Sequence, residues 1–166
     1  MPAKKDAKSI DANILLDYIL QHFSRDQDKN NKVNKLFNPS NKGDGEIRIF
    51  VYTLGEVFKR VLEQRDGKSV DLGGSEIQRY LRNIQSLIEK GFITIVKMDS
   101  LGSDFQSHYD EIDVKDSIIQ KGDKLALAAF CSDNASTSFY SFDRGINQSV
   151  WLQEYVSGLG KRIREL

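Results

Sequence analysis

A chain of 166 residues is long enough to bury one sizeable core without metal or disulfide staples, and a single domain over residues 1–166 is expected. Lys and Arg total 24 and Asp and Glu total 24, so the formal net charge is zero and no overall basic field marks a polyanion partner; such a partner requires a local basic patch or a bound cation. The lone cysteine, Cys131, cannot form an internal disulfide; its place in the apolar run 125–131 predicts a buried thiol and a reducing compartment. Residues 1–8 lack the apolar centre of a signal peptide and no later run is long enough to span a bilayer, so a soluble, cytoplasmic protein with no membrane partner is expected.

A short strand opens the chain and ends near Asp11. Ile14, Leu15, Tyr18, Ile19, His22 and Phe23 then recur at helical spacing, which predicts a helix over 13–23 with His22 on its inner face. Residues 24–46 form a polar insert rich in Asn, Asp, Lys and Gly, with only Val33, Leu36 and Phe37 to bury; they read as a mobile excursion with room for a short helix. Asp26, Asp28 and Asn30 resemble the start of a calcium loop, but Asn31 stands where that loop needs glycine and Phe37 where it needs glutamate. The β-rich stretch 47–52 predicts a strand that gives way at Thr53 to a helix with the stripe Leu54, Val57, Phe58, Val61 and Leu62.

Ser75 is placed to cap a further helix carrying Ile77, Tyr80, Leu81, Ile84, Leu87 and Ile88, ending at Gly91. The nearly continuous apolar run 92–96 predicts a central parallel strand covered on both faces. An acidic, weakly patterned segment at 99–116 reads as loop, with a helix around 110–120 and His108 on a surface loop. A buried helix over 125–131, a strand over 138–142 and a closing helix over 150–159 complete the pattern; Asn147-Gln148-Ser149 is a chance match to the glycosylation sequon. Strands alternating with helices predict a three-layer α/β/α sandwich with a mainly parallel sheet, whose sites lie beyond the carboxyl ends of the strands.

Four acids stand at element junctions: Asp11, Glu56, Asp123 and Asp143. Each has a purely structural reading. Asp11 and Asp123 can cap helices, Thr53-Leu54-Gly55-Glu56 has the pattern of a capping box, and Asp143 can belong to a turn. Each also has a shared one, because parallel topology can bring the strand ends to one edge and gather the four carboxylates. Like charges at close range raise one another's pKa, and a hard divalent ion such as Mg2+ or Mn2+ relieves the repulsion.

The segments around Ile10-Asp11-Ala12-Asn13, Thr53-Leu54-Gly55-Glu56, Gly122-Asp123-Lys124-Leu125 and Ser141-Phe142-Asp143-Arg144, in this order, resemble the PIN domain family, a metal-dependent ribonuclease fold found in toxin-antitoxin toxins and RNA-processing nucleases. The resemblance implies that Asp11, Glu56, Asp123 and Asp143 bind Mg2+ or Mn2+ and carry phosphodiester hydrolysis, with Asn13 and Ser141 as supporting polar neighbours. It implies RNA as substrate, single-stranded or looped, with Lys59, Arg60, Arg79, Arg82 and Arg144 as candidate contacts, and it makes an antitoxin protein and a homodimer candidate partners. Two other readings stand beside it. One is a catalytically inactive PIN-like RNA- or protein-binding module. The other is an aspartate-nucleophile phosphohydrolase, which ordinarily needs a second aspartate two residues after the first, where this chain has Asn13.

Overall fold

Short, β-rich runs of four to six residues separated by helical stripes give five strands and eight α-helices in the computed structural model, which describes residues 6–21, 25–39, 45–67 and 75–166. The order is β1 (Ala7–Ile10), α1 (Ala12–Leu20), α2 (Gln27–Leu36), β2 (Ile47–Phe50), α3 (Val51–Gly67), α4 (Ser75–Glu89), β3 (Ile93–Val96), α5 (Phe105–Lys115), α6 (Lys121–Ser132), β4 (Ser136–Ser141), α7 (Arg144–Gln148), α8 (Val150–Gly158) and β5 (Arg162–Glu165). All neighbouring strands pair in parallel in the order β3-β2-β1-β4-β5. Helices cover both faces, as parallel crossovers demand, giving the expected three-layer α/β/α sandwich.

Alternation along β2 shows how the sheet serves two cores. Ile47 and Ile49 join the core beneath α1, α3 and α4, while Phe50 joins the one beneath α5, α6 and α8. Cys131 is buried, and burial pushes its thiol up to about 12, so it serves as a small apolar side chain. Gly91 and Gly160 adopt φ of 71° and 72°, the left-handed geometry that lets α4 turn into β3 and α8 into β5. Among the described residues no helix is long and apolar enough to cross a membrane.

Several sequence expectations change. The run 92–96 is not a central strand: β3 lies at the sheet edge, with Thr94 and Ile95 only half-buried. The insert holds ten-residue α2, capped by Asp26 accepting from the Lys29 amide at 3.0 Å and anchored by buried Val33 and Phe37. Phe37 stacks on Tyr18 of α1 at 4.2 Å between ring centroids. α1 ends at Leu20; His22 and Phe23 lie outside the described residues. Helix α5 begins at Phe105 rather than near 110 and buries His108 instead of exposing it. The His108 imidazole bridges Tyr155 Oη at 2.7 Å and Asp104 Oδ2 at 3.0 Å. Neither α7 nor β5 is evident in the sequence pattern: the first has five residues, and only Ile163 of the second is buried.

At the amino ends of the strands a buried polar lock joins the layers. Arg48 of β2 donates from Nε and Nη2 to the Asp133 carboxylate at 2.6 and 3.1 Å, and from Nη1 to Glu46 at 2.7 Å. Asp133 also accepts from Ser136 Oγ at 2.5 Å, and Lys161 Nζ donates to the Asp133 and Ser136 carbonyls at 2.6 and 2.7 Å. Burial alone would raise the Asp133 pKa, but the bonds from Arg48 and Ser136 outweigh it and hold the carboxyl below its ordinary range. This contribution is present at neutral pH and lost as pH falls through the lowered pKa. Asp133→Ala leaves Arg48 buried and half-paired, so urea unfolding is expected to show a loss of about 3–5 kcal/mol at pH 7. A loss below about 1 kcal/mol would remove the lock from its structural role.

Candidate functional site

The carboxyl ends of β1, β2 and β4 and the start of α6 carry the four acids. Asp11 follows β1 in extended conformation and caps α1, its Oδ1 accepting from the Ala12 amide at 2.7 Å. Its other oxygen, Oδ2, accepts from Ser141 Oγ at 2.7 Å, across the β1–β4 junction. Only 3% of Asp11 is exposed. Burial pushes its carboxyl up, against the Ser141 and Ala12 hydrogen bonds, and the charge of Asp143 pushes in the same direction as burial.

Ser141 is the hub of this corner. While donating to Asp11, its oxygen accepts from the Asp143 amide at 2.9 Å and from Asn13 Nδ2 at 3.5 Å. Asn13 in turn accepts from the Phe142 amide, also at 3.5 Å. Asp143 is an N-cap, not a simple turn residue: its Oδ1 accepts from the Ile146 amide at 3.0 Å and starts α7. One turn on, Asn147 donates from Nδ2 to the Ser141 carbonyl at 2.9 Å, while its side-chain oxygen is buried with no hydrogen-bond partner. Asn147 escaped the sequence reading because a five-residue helix is too short to show a period.

Glu56 and Asp123 depart from their capping readings. Helix α3 starts at Val51, so Thr53 is already inside its first turn; Thr53 Oγ1 is buried and unbonded, and no capping box forms. Glu56 instead accepts from Arg60 Nε at 2.8 Å, one turn along the same helix. Its Oε2 lies 3.4 Å from where a side chain on Gly122 would begin, which brings α3 against the first turn of α6. Asp123 lies in that turn, but the N-cap position belongs to Gln120, whose side chain makes no cap bond.

Asp123 reports the relation between the acids. Its carboxyl is pushed up to about 7, first by burial and then by the charges of Asp11 and Asp143, with Glu56 adding to the effect and Arg60 opposing it. Arg60 also feels Asp11, so this guanidinium stands among three of the four acids, Asp11, Glu56 and Asp123. Among the described residues, however, no group of three or more His, Cys, Asp or Glu side chains stands close enough to hold an ion between them. Asp11, Glu56 and Asp143 are each turned onto a protein donor. Carboxylate oxygens are the donor type that a hard divalent cation takes, but in this arrangement the four acids do not surround a common point.

The basic residues divide. Arg60 faces the acids, and exposed Arg144 follows Asp143 directly. Lys59 points to the solvated side of α3 and pairs with Glu63 at 3.8 Å. Arg79 and Arg82 are not at the acidic face. They line a cleft with Tyr18 and Gln21, at the far end of α1 from Asp11 and about 10 Å along its axis. No protein-family model and no curated protein sequence matches the chain.

The folded Asp123 carboxyl keeps its proton at a pH where the unfolded one has lost it. Its contribution to stability is therefore full at low pH and falls as pH rises from about 4 through about 7. The displacement corresponds to about 4 kcal/mol before solvent screening and to about 2 kcal/mol for a partly exposed group. Asp123→Asn is expected to unfold at higher urea than the natural chain at pH 8 in chelator, with the gap closing near pH 4. Equal midpoints at pH 8 would show that the acids do not repel at this position.

Proposed function

We propose that the chain is a Mg2+- or Mn2+-dependent ribonuclease of the PIN type, hydrolysing RNA phosphodiester bonds at the face formed by Asp11, Glu56, Asp123 and Asp143. The observation that carries this reading is the placement of Asp11, Glu56, Asp123 and Asp143 at the carboxyl edge of the parallel sheet, where the charges of Asp11, Asp143 and Glu56 add to the burial that raises the Asp123 carboxyl and Arg60 opposes them. Repulsion of this kind costs stability, and a site that binds a divalent cation gives it a use. The parallel sheet supports the reading further, since its carboxyl edge is where ligands of such folds bind.

In this reading Asp11, Asp123 and Asp143 hold the cation. The bound ion would polarise the scissile phosphate and make its water more acidic. Ser141 and Asn13 orient the Asp11 carboxylate, the first by the 2.7 Å bond and the second by steadying Ser141 and Phe142. Glu56 would help orient the attacking water, while Arg60 and Arg144 would meet the phosphate backbone. Ionised Asp123 is needed to bind the cation, so activity rises with pH through about 7 in dilute metal.

The spread of the carboxylates favours one competing reading, a catalytically inactive PIN-like module that binds RNA or protein. Cleavage of a fluorescent single-stranded RNA, with Mg2+ or Mn2+ against chelator, separates the two. Metal-dependent cleavage is expected, falling to background in Asp11→Asn and by roughly 10- to 100-fold in Ser141→Ala. Cleavage that persists in chelator, or none with either metal, overturns the nuclease reading.

A further inference from the structure

The surface at the opposite end of α1 carries a cleft of about 570 Å³, within the range of small-ligand sites, where α1, α2 and α4 meet. Among the described residues its walls include Arg79 and Arg82 and no carboxylate, a local excess of positive charge in a chain whose charges sum to zero. Among the described residues neither guanidinium is in a salt bridge: Arg79 donates to Tyr80 Oη at 3.1 Å and lies 5.0 Å from the centre of the Tyr80 ring. A guanidinium held over a ring, with no carboxylate on it among the described residues, is placed for an incoming anion.

The aromatic wall behind these cations is braced. Tyr80 meets Tyr18 edge-on at 5.3 Å between centroids, and Tyr18 stacks on buried Phe37 of α2. Asn83 donates to Tyr18 Oη, fixing the phenol to α4. Exposed Asn34 adds a side-chain amide, and Asn83 and buried Gln21, whose amide nitrogens donate to Tyr18, add carbonyl acceptors. Two arginines, an aromatic wall and a ring of amides match three parts of one ligand: a phosphate, the π-face of a base and the polar edge of that base.

We infer that the cleft between α1, α2 and α4 binds a nucleotide unit, with Arg79 and Arg82 on its phosphate and its base against the Tyr80 wall. The assignment does not depend on the acidic face, which lies at the other end of α1. It gives Arg79 and Arg82 a ligand of their own, away from Asp11.

Calorimetry and side-chain amide NMR of the full chain in chelator test this with three probes: adenosine monophosphate, inorganic phosphate and a single-stranded RNA hexamer. Adenosine monophosphate is expected to bind and to shift the amides of Asn34 and Asn83. The exposed double substitution Arg79→Ala and Arg82→Ala weakens it at least about tenfold, and Tyr80→Leu weakens it while Arg164→Ala does not. A hexamer that binds more tightly than the monophosphate, with steep salt dependence, assigns the cleft to a strand; equal affinities assign it to the free nucleotide. Inorganic phosphate binding as tightly as adenosine monophosphate, nucleotide binding that survives the double substitution, or no binding by any probe overturns the inference.

Discussion

One backbone hydrogen bond orders much of this molecule: the Asp11 amide donates to the Tyr140 carbonyl at 2.9 Å. It carries the pairing of β1 with β4 one residue past the end of β1, so that Asp11 leaves the sheet beside Ser141. From there α1 descends from an N-cap made by Asp11 itself, and α7 begins three residues after Ser141 from a cap made by Asp143. A slip of one residue between β1 and β4 would turn the apolar and polar side chains of β1 to opposite faces, so the cores on either side hold this register in place.

The two edges of the sheet obey opposite electrostatic rules. At the amino edge Arg48, Asp133, Ser136 and Lys161 form a network in which the charged groups meet hydrogen-bond partners, and the Asp133 carboxyl is stabilised in its charged form. At the carboxyl edge Asp11, Glu56 and Asp123 share the Arg60 guanidinium, and burial with repulsion between acids disfavours the charged form of Asp11 and Asp123. A fold tolerates such a local conflict where the rest of its interactions agree, and conflicts of this sort concentrate at functional positions.

Helix α2 has a second consequence for the surface. Its composition is polar, yet Val33 and Phe37 suffice to dock it on α1, because one aromatic stack places Phe37 against Tyr18. That contact continues through Tyr18 to Tyr80 and makes one wall of the cleft that holds Arg79 and Arg82. The insert thus extends the second surface of the domain instead of lying apart from it.

Local pattern in the chain was enough to determine the three-layer α/β/α class, most of the helices and the four acids at element junctions. Helical stripes and short β-rich runs report burial directly, and an acid beside such a run marks a chain reversal. The strand order, the edge position of β3, and the pairing of β5 came only from tertiary structure. A run such as 92–96 reads alike at the centre or the margin of a sheet, and β5 buries a single side chain. The same holds for the site. Sequence singled out Asp11, Glu56, Asp123 and Asp143 as candidates, but only folding decided that Glu56 bonds Arg60, that Ser141 holds Asp11, and that Arg79 and Arg82 lie at the other end of α1. Side-chain partners more than 100 residues apart, such as Asp11 and Ser141, leave no periodic trace, because their meeting depends on the register of two strands and not on the spacing within either one.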